Sequence, residues 1–346
     1  MISLFKKPLL GIDLGERSLR IVSLKKQKKG IELSFCAVQD LQFENLEGVK
    51  NHSAFALLAE LVETHRLKKF RGAFTLPDSR VSNLELKLPM IPQNEVPTAI
   101  LNELEVKYQI DQATSCIDWT VEQMTQDDDA SSFLLVKVFV ASKSFVEESL
   151  AKLAKIPLKT EALENSMNAI AACLAFNSYL DEDVPRLVID LGVEHSSVGL
   201  FKGPHLLSYR SFPVGTKNFI RPCVEQLQAT YNAVELQFDA DDWNVSFSAC
   251  VISALTHWSH ELSNVLLAME DQHQGVMPKE TLLVGAGSRS PAFMSWLSNA
   301  LKMPIKGVDP YRNLILKDAS ILENADIVKA APYMSVAVGL ALREVA

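Results

Sequence analysis

The chain has 346 residues, which is enough for two domains of ordinary size. Hydrophobic residues make up 48% and charged residues 22%, so the chain is not disordered as a whole. The net charge of −8, without a long basic run, argues against a nucleic-acid partner. Glycine is scarce, with only 14 residues, which excludes a glycine-rich, loop-dominated protein.

The first half opens with strands. Apolar residues and a turn over 9–24 indicate strand, tight turn and strand, and a lysine-rich turn leads into a third strand over 31–41. These lysines indicate a solvated hairpin tip rather than a membrane or phosphate patch. An amphipathic helix is predicted over 51–65.

The pattern of predicted elements changes near residue 72, and the earlier pattern resumes near residue 155. Leu84, Leu86 and Leu88 alternate with charged residues, as in a half-buried strand. The predicted elements of this block are strands at 73–76, 84–88, 117–123 and 133–141 and helices at 96–108 and 144–154. We therefore expect a small α+β subdomain inserted in the first half.

The rest of the chain again alternates strands and helices. The predicted elements are an alanine-rich helix at 161–176, strand–turn–strand at 187–201, a strand at 206–212, a mainly helical region at 216–274, a strand at 281–284, a helix at 291–301 and a terminal helix from Pro332. No uncharged apolar run approaches the roughly 18 residues of a membrane span. The five cysteines are scattered without zinc spacing, which fits a reducing, cytoplasmic compartment.

The two halves open alike. Ile12-Asp13-Leu14-Gly15 recurs 177 residues later as Ile189-Asp190-Leu191-Gly192. Each copy follows apolar strand residues and precedes another apolar strand, so both lie at the same point of a strand–turn–strand unit. This repeat predicts two similar sheet domains that face each other across a cleft, each offering a hairpin with an aspartate at its strand end.

Such hairpins suit phosphate and magnesium. The glycine allows a sharp turn whose amides point at an anion, and Mg²⁺ is held by carboxylates through retained waters. Asp13 and Asp190 are therefore candidate magnesium ligands, although two ordinary β-turns would have the same composition. A third segment, with Gly285, Gly287 and Ser288 after a predicted strand, lets the backbone approach a ring or a phosphate closely.

In this order and spacing, the three segments resemble the actin/Hsp70/sugar-kinase ATPase superfamily. Residues 10–24 and 187–201 are similar to its two phosphate motifs, and 282–297 to its adenosine motif. The helices at 161–176 and 337–342 resemble its two connecting helices at the hinge.

Within that superfamily the chain resembles the PilM family of type IV pilus assembly. The similar stretches are Phe74–Val81, Glu85–Pro89, the helix ending in Tyr108, Ile117–Trp119, Ser208–Gly215 and Ala331–Leu342. The resemblance implies an α/β fold of two duplicated ribonuclease H-like, actin-like domains with a small inserted α+β subdomain. It also implies ATP or ADP with Mg²⁺ in the cleft.

The resemblance further implies a partner and a location. The subdomain would help to bind the short cytoplasmic tail of an inner-membrane, PilN-like protein, with a link to the pilus motor ATPases. The chain would then lie at the cytoplasmic face of the inner membrane through that partner, without a span of its own.

These implications assign domains and site residues. The first actin-like domain is expected at 1–176, with the subdomain at about 72–155, and the second at 177–346, with the terminal helix returning toward the first. The expected nucleotide-binding residues are Gly15, Glu16, Arg17, Ser18, Gly192, Ser196, Ser197, Gly215, Gly285, Gly287 and Ser288. Gly15, Gly192 and Gly287 should line one cleft.

One departure from the superfamily pattern concerns turnover. The first phosphate turn of the superfamily usually has serine or threonine after the glycine, whereas here Glu16 and Arg17 precede Ser18. A carboxylate beside a polyphosphate is unfavourable unless it is solvated or paired. Arg17 would compensate or bind phosphate itself, or both side chains would point to solvent and weaken the site. We expect nucleotide binding with slow or no hydrolysis.

No catalytic residue is assigned beyond the candidates Asp13 and Asp190, and His195 is interpreted as a turn residue. Three alternatives remain open from the sequence. One is a small-molecule kinase of the same superfamily, which would need a carboxylate base on the acceptor hydroxyl. The others are an actin-like component of a type II secretion or other pilus system and, less favoured, a cell-division homologue of the FtsA type.

Overall fold

The computed structural model describes residues 7–41, 54–125, 132–180, 184–273, 276–316 and 325–345. Among these, the strands in chain order are β1 Leu9–Leu14, β2 Ser18–Gln27, β3 Gly30–Asp40, β4 Arg71–Leu76, β5 Val81–Pro89, β6 Ser115–Thr125, β7 Ser132–Ser142, β8 Lys159–Asn165, β9 Pro185–Leu191, β10 Ser196–Lys202, β11 His205–Phe212, β12 Glu280–Gly285, β13 Ile305–Gly307 and β14 Leu314–Ile315. The α-helices are α1 Ala54–Thr64, α2 Val96–Tyr108, α3 Lys143–Leu153, α4 Ser166–Phe176, α5 Lys217–Leu227, α6 Tyr231–Phe238, α7 Val245–Gln272, α8 Pro291–Leu301, α9 Ala325–Ala330 and α10 Ser335–Leu342.

The first sheet has the order β14-β3-β2-β1-β4-β8. The strands β1, β2 and β3 form an antiparallel meander, and β4 and β8 continue the sheet parallel to β1. The apolar residues of β1 are buried on both faces of the sheet, as expected where helices cover both sides. This sheet places the carboxyl end of β1, with Asp13, at the start of the first hairpin.

The second sheet repeats this plan. Its order is β11-β10-β9-β12-β13, with β9, β10 and β11 antiparallel and β12 and β13 parallel to β9. Three antiparallel strands followed by two parallel strands therefore occur in each half. The duplication predicted from the four-residue repeat is confirmed, and with it the actin-like, ribonuclease H-like α/β fold.

The inserted block forms a second compact unit, Pro77–Leu153, while the remaining residues form the first. Its sheet has the order β5-β7-β6, all antiparallel, with α2 contributing to the core. The strand predicted at 73–76 belongs instead to the first sheet, as β4, because it pairs with both β1 and β8. Residues 126–131, between β6 and β7, and 51–53 of the first predicted helix lie outside the described residues.

Two predicted helix starts are wrong. The helix expected from residue 161 begins at Ser166, since the preceding residues form β8 beside β4. Asn165 ends that strand and caps α4 by accepting a hydrogen bond from the Asn168 amide at 2.8 Å. Pro332 lies in a short 3₁₀ turn, Ala331–Tyr333, and the terminal helix α10 begins only at Ser335.

The end of the chain returns to the first sheet. Leu314 and Ile315 pair in parallel with Ile31 and Glu32 of β3. Every side chain of α10 is buried, and this helix packs on α4 and against β1. The second sheet begins with β9 at Pro185, and the last part of the second half packs with the first sheet.

An acid-sensitive ion pair lies at one end of the second sheet. Glu280 of β12 accepts from Arg186 of the neighbouring β9, and its other oxygen lies 2.5 Å from Lys306 Nζ. Burial alone would raise the pKa of Glu280, but the bonds from Lys306 and Arg186 outweigh it and hold that pKa below its ordinary value.

The stability of the fold at acid pH should therefore depend on whether the Glu280 carboxylate is ionised. A depressed folded-state pKa stabilises the fold above the unfolded value, and the contribution is lost as the pH falls below about 4.5. We expect Glu280→Gln to lower the urea midpoint at pH 7. From pH 7 to about pH 3, which lies below the unfolded-state pKa, the midpoint of the variant should fall by less than that of the unmodified chain. An equal loss in both chains would show that Glu280 does not carry this dependence.

Candidate functional site

The first hairpin joins β1 to β2 and contains an aspartate that is paired with an arginine. Asp13 is buried and accepts a hydrogen bond from Arg20, which lies opposite it in the β1–β2 register. Thr75 of β4 donates to the other carboxylate oxygen at 3.4 Å. Arg20 also donates from Nε to Ser18 Oγ at 3.0 Å. The aspartate, the serine and the arginine therefore form one connected group at the carboxyl end of β1.

The turn of this hairpin leaves no space for a side chain. A Cβ at Gly15 would lie 2.8 Å from Ser18 O and 2.9 Å from the Arg20 guanidinium. The glycine that the motif supplies is therefore what allows Ser18 and Arg20 to fold back over the turn.

Glu16 and Arg17 leave the first hairpin and contact the second half. Glu16 Oε2 accepts from the Glu194 amide at 2.7 Å, and Glu16 Oε1 hydrogen-bonds His195 Nδ1 at 3.2 Å. Arg17 pairs with Glu235 of α6, and its guanidinium lies 5.4 Å from the centre of the Tyr231 ring. Both side chains remain partly exposed but bond to residues of the second half, whereas one sequence-based alternative had them pointing to solvent. Together they tie the two halves to each other.

The second hairpin, between β9 and β10, is closed by the loop that follows β11. The Gly192 amide donates to His195 O at 3.0 Å, and the amides of Thr216 and Lys217 donate to Gly192 O and Val193 O at 3.0 and 2.9 Å. A Cβ at Gly215 would lie 2.4 Å from Val193 O. Gly192 and Gly215 therefore lie against each other.

The two serines of this hairpin are both buried but differ in their hydrogen bonds. Ser196 is fully buried, donates to Val214 O at 2.7 Å and accepts from Trp258 Nε1 at 2.8 Å. Its hydroxyl is thus satisfied inside the protein, away from any ligand. Ser197, opposite Asp190 in the β9–β10 register, remains a candidate phosphate donor.

The third segment packs on the end of β9. Gly285 has φ 78°, which a side chain rarely adopts, and a Cβ there would lie 2.6 Å from Asp190 Oδ1. A Cβ at Gly287 would lie 2.8 Å from Leu191 Cδ2. Ser288 Oγ donates to Gly285 O at 2.9 Å, which closes the turn.

Individual contacts link the three segments one to the next. The first hairpin reaches the second through Glu16, and Leu191 lies between Gly192 of the second hairpin and Gly287 of the third segment. Three segments that are far apart in the sequence meet where β1, β9 and β12 end.

Several charged residues around these segments were missed by sequence reasoning. Arg20 and Arg289 flank the ring of Tyr333, at 5.2 and 5.9 Å from its centre. Arg289 also pairs with Asp239 at 2.6 Å. Burial raises the pKa of Asp239 despite this arginine.

The sequence does contain one indication of the role of Arg20. It is a charged residue within an apolar strand, at the position facing Asp13. Nothing local marks Tyr333 or Asp239, whose neighbours come from distant parts of the chain. Lys217 was also missed; its Nζ lies 3.2 Å from Glu194 Oε1.

The duplicated sheets and the three converging segments define an actin-like ATPase fold. The family model described as type IV pilus assembly protein PilM matches residues 11–345. The chain therefore belongs to the PilM family of type IV pilus assembly proteins.

Solved structures agree with this fold. The structure of a PilM–PilN type IV pilus biogenesis complex is 22% identical, with a TM-score of 0.79 over 98% of each chain. The ethanolamine utilization protein EutJ from Carboxydothermus hydrogenoformans is 12% identical, with a TM-score of 0.52 over 98% of this chain and 90% of that one. No curated protein sequence matches significantly. Within the described residues, no helix has the length and hydropathy needed to cross a membrane.

Proposed function

We propose that this chain is a nucleotide-binding, actin-like scaffold of type IV pilus assembly that binds the short cytoplasmic tail of a PilN-like inner-membrane protein. The observation that carries the proposal is the match of the PilM family model to residues 11–345, nearly the whole chain. Support also comes from the likeness to a PilM–PilN complex, which covers 98% of each chain and so includes the inserted unit.

The chemistry of the converging segments fits a magnesium nucleotide. Two aspartates lie at strand ends, which is the kind of ligand that Mg²⁺ prefers, and each is followed by the turn of a hairpin. The residues that would hold phosphate are Gly15, Ser18, Gly192, Ser197 and Gly215, with Asp13 and Asp190 toward the metal. The adenosine would lie against Gly285, Gly287 and Ser288.

Bound magnesium would supply charge neutralisation for the phosphates. The chain's own residues would position the nucleotide rather than drive turnover. Asp13 is paired with Arg20 and also accepts a hydrogen bond from Thr75, so its carboxylate is already committed to contacts within the chain. We therefore propose slow or no hydrolysis, with nucleotide acting on the arrangement of the two halves. Such a role requires nucleotide to favour one arrangement over another.

The partner is tested with a labelled peptide. The peptide should carry the cytoplasmic tail of the PilN-like protein from the same pilus system, and fluorescence anisotropy should follow its binding to the full chain. We expect saturable one-to-one binding, and no binding of a peptide with the same composition in scrambled order. Failure of the native tail to bind, with and without ATP and Mg²⁺, would overturn the partner assignment.

The proposed location follows from the same partner. A chain that binds such a tail lies at the cytoplasmic face of the inner membrane. Contact with the pilus motor ATPases would follow from that position.

A further inference from the structure

The Glu16 side chain contacts the backbone of the second hairpin. One of its carboxylate oxygens accepts from the Glu194 amide at 2.7 Å, and the other hydrogen-bonds His195 Nδ1 at 3.2 Å. About a third of the Glu16 and His195 side chains is exposed, at 35% and 38%. The carboxylate therefore bridges the two hairpins at an accessible edge of the site.

Backbone amides in a turn, such as that of Glu194 in the second hairpin, commonly bind anionic oxygens of ligands. A carboxylate and a phosphate make the same kind of charge-assisted bond to it, and they repel each other at close range. Glu16 and a phosphate placed between the hairpins would therefore compete for the Glu194 amide.

We propose that Glu16 is a built-in competitor of the nucleotide phosphates: its carboxylate occupies the anion position at the Glu194 amide, holds the two hairpins together and has to leave when nucleotide binds. This inference rests on the proposed nucleotide site and adds its regulation.

The charges around the site support this role. The nearby cations pair with carboxylates of the chain itself: Arg17 with Glu235, Arg20 with Asp13 and Lys217 with Glu194. Glu16 differs because its partners are an amide and an imidazole. Displacement of Glu16 from these two partners therefore leaves no arginine or lysine of the site without its carboxylate.

A metal ion is the competing interpretation of the same residues. Ligand atoms of Glu16, Glu194 and His195 all lie within 4.8 Å of one another. Lys217 Nζ lies 3.2 Å from the Glu194 carboxylate, however, and a cation there opposes a second one. Both oxygens of Glu16 already accept hydrogen bonds as well. These contacts favour the interpretation of Glu16 as an anion bound to the Glu194 amide over its interpretation as a metal ligand.

The test is calorimetric titration of the full chain with ADP in the presence of Mg²⁺. We expect Glu16→Gln to bind ADP about tenfold more tightly than the unmodified chain, since the loss of one charge-assisted bond is of that size. Without nucleotide, the same variant should melt at a lower temperature, because the bridge between the hairpins is weakened. Glu225→Gln, which removes a negative charge from a more exposed side chain of α5, should change neither value.

The outcomes separate the inference from the proposed function. If Glu16→Gln binds ADP as tightly as the unmodified chain or more weakly, and the unmodified chain binds clearly, then Glu16 does not compete with phosphate. The proposed nucleotide site is unaffected by that result. No ADP binding by either chain overturns the nucleotide site and the inference with it. Stabilisation of the unmodified chain by Zn²⁺ alone, lost in Glu16→Gln, would overturn the inference in favour of a metal site.

Discussion

Replacing Gly339 with alanine is expected to destabilise the chain by about 3 kcal/mol or more, because the added methyl group has no space. A Cβ at this position would lie 1.7 Å from Ala169 O and 2.5 Å from Ala169 C. These are backbone atoms of α4, so no side-chain rotation can relieve the overlap, and α4 and α10 have to separate. The higher helix propensity of alanine recovers only about 1 kcal/mol.

Gly307→Ala is the matched control. The nearest atom to a Cβ there is Ser288 O at 3.5 Å, which is an ordinary contact. We expect its urea midpoint to lie close to that of the unmodified chain, since such substitutions usually change stability by less than about 0.5 kcal/mol. Equal midpoints for Gly339→Ala and the control would contradict the close crossing of α4 and α10 and the hinge position assigned to it.

Replacing Trp258 with alanine should have an effect of similar size in the second half. Trp258 is fully buried, and its ring centre lies 5.7 Å from that of Phe293 and 6.1 Å from that of Phe212. Truncating a buried tryptophan costs about 3–5 kcal/mol through lost packing and the cavity left behind. The change also removes the indole donor to Ser196, so it should loosen the second hairpin.

Trp258→Phe separates these two contributions. It keeps most of the aromatic packing but removes the N–H that bonds Ser196 Oγ at 2.8 Å. We expect a loss of about 1–2 kcal/mol in urea unfolding, mainly from the missing hydrogen bond and the smaller ring. If Trp258→Phe costs as much as Trp258→Ala, packing of the indole is not the dominant contribution and the account of this core is wrong.

The fold was predictable because its strongest signal is repeated in the sequence. The four residues that begin at Ile12 and at Ile189 lie at equivalent points of two sheets that share the order of five strands. Short-range sequence patterns predicted the wrong element where a tertiary contact determines the local structure. Residues 161–165 look helical from their composition but pair with β4, and only the side chain of Asn165 marks where α4 starts.

The candidate site was predictable as three segments, but not in the roles of its side chains. Ser196 reads as a phosphate donor from its place in the motif, whereas burial and a bond from Trp258, 62 positions away, commit it to the core. The direction of Glu16 depends on the second half of the chain in the same way. Contacts between residues so distant leave no local pattern in the sequence.

We propose that hairpins from both halves and the segment after β12 form one nucleotide site. Hydrogen–deuterium exchange of the full chain should be compared with and without ADP and Mg²⁺. We expect nucleotide to slow exchange together in the peptides that contain residues 13–18, 190–197 and 285–288. Slower exchange in only one half of the chain, or no change in any of these peptides at saturating nucleotide, would contradict it.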